Sequence, residues 1–419
     1  MPGFIVPKTF VSERPKYAKV SGLSWLPRFC KAIVPSKGSL QWKKTRDDHS
    51  LTGEKLPTSQ RHNFGITLLI FLSLAADPAA QSYRVDKEAT GDGVKLIVLL
   101  DEAAGVEVTV APAKGGELSG LKIRYRGRWV EVLYRARDYH IQQGWSGRAP
   151  FLWPATGRNF TPDLEEKAAA AVSSGDRLNA GAYVHHGRRY EMPIHGFVRD
   201  LPWKLESGGA DSSRAWVILS LVDTVQTRDY YPYGFLLTVE YSLSAGSLEI
   251  KYKVRATLEN RTDMPFSLGN HITFKVPFLE ESKADDMLFS TPCGEELLKT
   301  EYGVPNGARR PCSLASPTRL AEFNATNAIS LGGYSGTPNA VLADPAGLGI
   351  RLTHSADRLP LPPFVLFNVW GDPGSGYFSP EPWMGIQNSF NSKEGLIFLA
   401  PDDEYQWVIA IEALRNAGK

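Results

Sequence analysis

The segment SLEIKYKVRATLEN, residues 247–260, alternates apolar and polar side chains with a period of two. Its apolar positions are Leu248, Ile250, Tyr252, Val254, Ala256 and Leu258. Because successive side chains of a β-strand point to opposite faces of the sheet, this pattern predicts a strand with one buried face. The preceding segment, FLLTVEYSLSAGS, contains a second strand pattern and a glycine-containing turn, and it predicts a hairpin with the first.

Strand signals continue through the chain from Tyr83 onward. Two further hairpins are predicted around the turn residues Arg126-Gly127 and His186-Gly187, and DEYQWVIAIEAL predicts a last strand near the end of the chain. Helical periodicity is limited to one short candidate, PDLEEKAAAAVSS. These patterns predict an all-β protein, a large antiparallel β-sandwich in which residues 81–419 form a single domain.

The first 80 residues differ from the rest in composition. Residues 1–60 carry 11 Lys and Arg against 4 Asp and Glu and lack periodicity, which predicts a disordered leader or a start assigned too early. Residues 61–80 place basic residues before an apolar run and then small residues, the order typical of a secretory signal peptide. A buried helix or strand is the alternative. We expect a signal, a mature start near Gln81 and a secreted or periplasmic protein, or a cytoplasmic one if the signal is unused.

Several classes of protein are disfavoured by composition and motifs. The net charge of +2 is too small to indicate a nucleic-acid partner, and no apolar run reaches the roughly 18 to 20 residues of a membrane-spanning helix. The sequence contains no phosphate-binding P-loop and no metal-ligand spacing of cysteines. We therefore expect neither cofactor nor metal, and the oligomeric state is left open. In an oxidising compartment Cys293 and Cys312 would either form a bridge or remain two thiols.

Four polar residues occupy unusual positions in this strand-rich sequence. Arg158 lies in the proline-containing segment FLWPATGRNF, and His195 lies in PIHGFVRDLPW. His271 follows Gly-Asn and is predicted to enter an apolar strand. Glu381 stands between two prolines and before Trp383, a setting that would raise the pKa of its carboxyl group and suit it to proton transfer. Each residue alone is typical of ordinary surface or core structure, whereas together the two histidines, the arginine and the glutamate all occupy turn-flanked positions with aromatic neighbours.

The order and local context of these segments resemble the aldose 1-epimerase family, in the galactose mutarotase-like superfamily, from about Gly116 to Glu412. The resemblance rests on GGELSGLKIRYRGRWVEVLY, FLWPATGRNF, HGFVRDLPW, NRTDMPFSLGNHITF, SPEPWMGIQNS and LAPDDEYQW. It implies a β-supersandwich that interconverts the α and β anomers of a hexose without a cofactor. The partner would be a monosaccharide, either free or phosphorylated.

The resemblance also implies residue roles. The glutamate of the family is the catalytic base and its second histidine the acid, which are Glu381 and His271 here. Sugar-binding roles are implied for His195, Arg158, Asp372 and Trp383, with Asp372 as a candidate for an aspartate of the family that binds the sugar.

Three alternatives remain open at the level of sequence. The His-Gly-Phe-x-Arg segment is closer to the branch that contains hexose-phosphate epimerases, for which Arg199 is a candidate phosphate contact. A non-catalytic carbohydrate-binding β-sandwich would need the aromatic residues and Arg158 but not the pair of Glu381 and His271. A glycoside hydrolase usually needs two carboxylates across the scissile bond, and only Glu381 stands out.

Overall fold

The computed structural model describes residues 82–135, 139, 147–323 and 328–417. The described residues belong to one compact unit. The predicted leader, residues 1–60, and the predicted signal, residues 61–80, lie outside them. Within the described ranges, no helix has both the length and the apolar character needed to cross a membrane.

Antiparallel strands make up about half of the described chain. The strands are β1 (Tyr83–Gly91), β2 (Val94–Asp101), β3 (Val106–Ala111), β4 (Glu117–Tyr125), β5 (Arg128–Glu131), β6 (Phe151–Leu152), β7 (Ala182–His185), β8 (Arg188–Glu191), β9 (Lys204–Ala210), β10 (Ala215–Val222), β11 (Phe235–Ser244), β12 (Ser247–Ala256), β13 (Met264–Phe266), β14 (Leu268–Asn270), β15 (Phe274–Lys275), β16 (Leu288–Ser290), β17 (Glu295–Lys299), β18 (Pro305–Pro311), β19 (Thr318–Arg319), β20 (Ile329–Gly332), β21 (Asn339–Ala343), β22 (Gly349–Ala356), β23 (Val365–Asp372), β24 (Tyr377–Met384), β25 (Ile397–Leu399) and β26 (Glu404–Leu414). The α-helices are α1 (Pro162–Ser173), α2 (Val225–Tyr230) and α3 (Ser389–Ser392).

Two large sheets contain most of these strands. One has nine strands in the order β19-β16-β21-β22-β26-β12-β11-β10-β9, and the other has eight, in the order β18-β17-β20-β23-β24-β14-β6 with β15 paired to β24. A five-stranded sheet, β1 to β5, follows chain order. The two large sheets share an aromatic core, in which Phe151 of β6 stacks on Tyr252 of β12 with ring centroids 4.1 Å apart. The predicted all-β antiparallel sandwich is confirmed.

The predicted hairpins form where the sequence places them. β11 and β12 pair over their full length around the turn Ala245-Gly246. β4 pairs with β5 around Arg126-Gly127, and β7 pairs with β8 around His186-Gly187. All six turn residues have positive φ, the conformation that tight two-residue hairpin turns require.

Three local predictions need correction. β12 ends at Ala256, so Leu258 lies beyond the strand and is 75% exposed, because the chain turns there instead of continuing along the sheet. The predicted helix forms as α1, but α2 and α3 add two short helices that apolar periodicity did not reveal. His271 follows the last residue of β14 and lies outside any strand.

Cys293 and Cys312 form a disulfide, with Cα atoms 5.6 Å apart. The bridge joins the two segments of the chain that flank the β17–β18 hairpin, next to the pairing of Glu295 with Pro311. This hairpin is the edge of the eight-stranded sheet. The bridge therefore fastens one edge of that sheet.

We expect the double variant Cys293→Ser/Cys312→Ser to unfold more easily than the wild type. The bridge spans 19 residues, and closing a loop of this size in the unfolded chain stabilises a protein by about 3 kcal/mol. Urea unfolding measures the loss. Thiol titration of unfolded, unreduced wild-type protein is the matching control, and reaction of both thiols would contradict the bridge.

Candidate active site

A row of polar side chains crosses one face of the eight-stranded sheet. Ser330 of β20 lies opposite Asn368 of β23, and Asn368 lies opposite Glu381 of β24. The register of β14 against β24 continues past the end of β14 and brings His271 beside Glu381. Residues directly opposite one another in a sheet share a face, so strand register alone collects these side chains.

Glu381 lies in the middle of β24 and is only 1% exposed. Its Oε2 accepts a hydrogen bond from the indole Nε1 of Trp383 at 3.1 Å, and its Oε1 accepts one from Asn368 Nδ2 at 3.4 Å. Burial raises the pKa of the Glu381 carboxyl to about 8, against the opposing effects of these two hydrogen bonds and of the Lys299 ammonium. The carboxyl group is thus held in place but is costly to ionise.

His271 occupies a break between β14 and β15. Its backbone N–H donates to the carbonyl of Pro150 at 3.0 Å, which keeps the residue aligned with the sheet although it belongs to no strand. Its Nε2 lies 3.5 Å from Glu381 Oε1, and its Nδ1 lies 3.4 Å from the hydroxyl of Thr273. Burial lowers the pKa of the His271 imidazole to about 3.

Glu381 and His271 form a contacting pair with pKa values displaced in opposite directions. Burial disfavours the charged form of each group, so the proton between them resides on the carboxyl. Two groups this close titrate as one unit rather than independently. The pair can therefore exist as neutral acid and imidazole or as carboxylate and imidazolium, and a proton relayed between them converts one form into the other.

His195 is held by two hydrogen bonds to the backbone of Gly157. The N–H of His195 donates to the Gly157 carbonyl at 2.8 Å, and the N–H of Gly157 donates to His195 Nδ1 at 3.0 Å. Because Nδ1 accepts, the hydrogen of the neutral ring is on Nε2, which is then a fixed donor. His195 has a left-handed backbone (φ 67°), and at the following Gly196 a Cβ would lie 2.0 Å from the carbonyl oxygen of Trp153. This conformation is strained for a non-glycine residue and typical of functional sites.

Aromatic rings connect His195 to the pair. Its ring centroid lies 5.4 Å from that of His271 and 5.8 Å from that of Trp383, in both cases edge to face. Burial is the main cause that lowers the pKa of His195 well below its usual value, followed by the neighbouring His271 and two arginines. His195 is therefore a neutral N–H donor next to the acid–base pair.

The two arginines are Arg158 and Arg199. Arg158 is half-buried on the irregular segment after β6, and the side chain of Arg199 is 15% exposed. Their Nε atoms are buried and have no hydrogen-bond partner among the described residues. Asp200 lies 3.8 Å from Arg199 Nε. Burial lowers the pKa of both guanidinium groups, which remain cationic and retain unused donors beside His195.

The structure brings together five of the six predicted site residues. Trp383 is 2% exposed, and its N–H donates to Glu381. Asp372 is not part of the cluster. It lies at the far end of β23, four residues past Asn368, where its carboxylate accepts hydrogen bonds from the backbone N–H and the hydroxyl of Ser375.

Sequence reasoning missed three residues of the row, Ser330, Asn368 and Lys299. Asn368 had a readable signal, because it is the one amide in the apolar strand segment FVLFNVW. Lys299 had none, since a lysine at the end of the strand pattern EELLK is typical of an exposed edge. Only strand register brings it to the row.

The side chains of the cluster are suited to proton transfer. The described residues contain no group of three or more His, Cys, Asp or Glu that could hold a metal ion. The adjacent carboxyl and imidazole can exchange protons with a ligand that lies over both groups. His195 and the two arginines add N–H donors that suit hydroxyl or anionic oxygens.

This chain is similar in sequence to known proteins. The family model for aldose 1-epimerase matches residues 177–412, a range that contains His195, His271 and Glu381. The chromosomal protein LacX of Lactococcus lactis is 26% identical over 282 residues, which cover 66% of this chain and 84% of LacX.

Solved structures share the fold. A galactose mutarotase-like protein from Clostridium acetobutylicum has a TM-score of 0.63 and 19% identity, covering 79% of this chain and 98% of its own. A galactose 1-epimerase from Lactobacillus acidophilus has a TM-score of 0.58 and 15% identity, covering 80% of this chain and 99% of its own. At such identities these structures establish the fold.

We expect Glu381→Gln to stabilise the protein increasingly as pH rises. The pKa of Glu381 is raised from 4.5 to about 8, so the folded wild type keeps a proton that the unfolded chain releases between these values. Its free energy of unfolding therefore falls as pH rises through this window, whereas glutamine does not titrate. Urea unfolding at pH 5 and pH 8 should show the stability difference growing by about 3 to 4 kcal/mol.

The exposed Glu166→Gln on α1 is the control and should show no such change with pH. A pH-independent difference between Glu381→Gln and the wild type would mean that this carboxyl ionises as readily as an exposed one.

Proposed function

The chain belongs to the aldose 1-epimerase family, and on that premise we propose that it interconverts the α and β anomers of a hexose by acid–base ring opening at Glu381 and His271. The observation that carries the proposal is the 3.5 Å contact between Glu381 Oε1 and His271 Nε2 on a face that also presents the His195 donor. Anomerisation needs one group to accept a proton and another to donate one, and no redox step.

Ring opening uses the carboxylate–imidazolium form of the pair. The hexose lies over the two adjacent groups with its anomeric hydroxyl at Glu381 and its ring oxygen at His271. Glu381 takes the hydroxyl proton, the anomeric carbon becomes a carbonyl carbon, and its bond to the ring oxygen breaks. The ring oxygen takes the proton of His271 Nε2. The pair is left as neutral acid and neutral imidazole, with no net change in protons.

Ring closure reverses each step on the other face of the carbonyl. The aldehyde rotates about its bond to the second carbon, the ring oxygen attacks, and its proton returns to His271. The new anomeric oxygen recovers the proton from Glu381. His195 Nε2 and Arg158 hold neighbouring hydroxyl groups during this rotation, so that the open chain stays in place.

Two rival functions make different demands on these residues. A non-catalytic carbohydrate-binding sandwich has no use for a buried carboxyl whose ionisation is costly, and a carboxyl of this kind is typical of a proton-transfer site. A glycoside hydrolase of the usual type has a second carboxylate across the bond. Among the described residues, the titratable group in contact with Glu381 is the imidazole of His271 and not a second carboxylate.

A second candidate substrate is a phosphorylated hexose. It is favoured by the unused, buried Nε donors of Arg158 and Arg199 among the described residues. Guanidinium groups bind phosphate oxygens through two parallel hydrogen bonds and are weakly hydrated, so they are well suited to partly buried phosphate sites. A neutral hexose could accept hydrogen bonds from these donors only through its hydroxyl groups and ring oxygen.

The proposed place of action is outside the cytoplasm. The signal-like pattern of residues 61–80 motivates this proposal, and the bridge between Cys293 and Cys312 supports it. Disulfides persist in oxidising compartments and are rare in the cytosol of most organisms.

Glu381→Gln and His271→Asn should each lower the rate of anomerisation by roughly 10² to 10⁴, with a modest change in hexose affinity. Polarimetry of fresh α-glucose and α-galactose measures the rate. The double variant should lose little more than the worse single variant, because both groups serve one step. His195→Asn should weaken both rate and affinity.

His186→Asn, at an exposed hairpin turn, is the matched control and should retain wild-type activity. Wild-type protein that fails to exceed the buffer rate with any free or phosphorylated aldose would refute the proposed function. Full activity in Glu381→Gln would refute the assignment of the base.

Arg199→Gln distinguishes the two substrate classes. If the substrate is phosphorylated, kcat/KM for hexose 6-phosphate should fall by about 10- to 100-fold, with little change for the free hexose. The exposed Arg261→Gln is the control. An equal loss for both substrates would show that Arg199 does not read a phosphate group.

A further inference from the structure

Lys299, at the end of β17, contacts the row of polar side chains that contains Glu381. It lies two residues beyond Leu297, which is paired with Ser330 of β20. Because alternate residues of a strand share a face, Lys299 is on the same face as this row. Its Nζ donates to Asn368 Oδ1 at 2.9 Å and to the carbonyl of Ala328 at 3.1 Å.

These contacts fix the orientation of the Asn368 amide. Its Oδ1 accepts from Lys299 and also from the Ser330 hydroxyl at 3.0 Å. A flipped amide would turn its NH₂ group against the ammonium, so the oxygen faces Lys299 and the NH₂ faces Glu381. Asn368 Nδ2 accordingly donates to Glu381 Oε1 at 3.4 Å. One amide therefore connects an ammonium donor to the carboxyl group.

This connection bears on a difficulty of the proposed mechanism. Ring opening starts from ionised Glu381, whereas burial favours the neutral carboxyl. A nearby positive charge and a hydrogen bond directed at the carboxylate both favour the ionised form. Lys299 supplies the charge, and through Asn368 it aims the hydrogen bond.

We propose that Lys299, acting through Asn368, is a positioning residue that favours the ionised form of Glu381 required of the base. The proposal rests on the proposed function and assigns Lys299 no contact with the sugar. Its effect is electrostatic, and it is directed by the orientation of the Asn368 amide.

The surrounding charges leave this role to Lys299. On its own hairpin the nearest carboxylate is Glu296, which is paired with Arg310 of β18 at 2.8 Å. Burial lowers the pKa of the Lys299 ammonium to about 8, and Glu381 and Glu296 oppose that change, so Lys299 is largely cationic at neutral pH. On the far side of Glu381 lies His271. The nearby arginines, Arg158 and Arg199, lower the pKa of His195, and Arg199 also lowers the pKa of His271.

The sign of the expected effect follows from the charge. Removing the ammonium raises the pKa of Glu381 and so favours the neutral pair over the carboxylate–imidazolium pair that opens the ring. A nearby opposite charge changes a carboxyl pKa by about 1 pH unit or more. The kcat/KM of Lys299→Met at neutral pH should therefore be about tenfold below that of the wild type. This difference should shrink above about pH 8, where the Lys299 ammonium of the wild type releases its own proton.

The test compares pH profiles of anomerisation for Lys299→Met and wild type. The ratio of wild-type to Lys299→Met activity should fall toward 1 at the alkaline end, and Lys299→Arg should retain most of the wild-type activity at neutral pH. A purely structural role predicts a loss that is equal at every pH and tracks the melting temperature. The exposed Lys95→Met is the matched control. A catalytically active wild type whose advantage over Lys299→Met is the same at every pH would overturn the proposal.

A spectroscopic measurement tests the proposal without relying on catalysis. The infrared carboxyl band assigned to Glu381 by its loss in Glu381→Gln can be titrated in wild type and in Lys299→Met. The proposal predicts that the midpoint of this titration rises by about 1 pH unit in Lys299→Met, and an unchanged midpoint overturns it. If wild-type protein has no epimerase activity, the proposed function fails while this titration still decides the role of Lys299.

Discussion

The buried carboxyl group of Glu381 is the constraint on which the rest of the site depends. A carboxylate in the interior of a sheet loses its hydration, and the free-energy cost is several kcal/mol unless neighbours supply hydrogen bonds or charge. Trp383 and Asn368 supply the hydrogen bonds, Lys299 the charge, and His271 a partner for the proton. All four arrive through the strand register of one sheet. A stable antiparallel scaffold therefore carries a group that would by itself destabilise it.

This arrangement suits a reaction in which protons move but none is consumed. In the proposed mechanism Glu381 and His271 carry one proton between them, and each half-reaction exchanges protons with the hexose without net change. His195 stays outside this exchange, because the Gly157 N–H occupies its Nδ1 and leaves Nε2 as a donor. The proposed mechanism thus assigns proton transfer to one pair of groups and ligand binding to other groups.

Much of the architecture follows from short-range sequence patterns. Period-two alternation of apolar residues predicted β12. Glycine-containing dipeptides predicted three hairpin turns, whose residues have positive φ in the structure. The predicted end of β12 was wrong, because apolar Leu258 continues the pattern where the chain has already turned. At the site, residues in unusual local contexts were found, including Glu381 and His195. Lys299 was not, since its position depends on pairing between β17, β20 and β23, which no local pattern encodes.

The central claim is that Glu381 and His271 act on one hexose from the same face of the sheet. A crystal structure of the Glu381→Gln variant soaked with its hexose tests this claim most directly, since the variant keeps the shape of the site without the base. The account predicts the anomeric hydroxyl within hydrogen-bond distance of the side chain at position 381 and the ring oxygen within that distance of His271 Nε2. A hexose bound with neither contact, or bound away from this row, would contradict it.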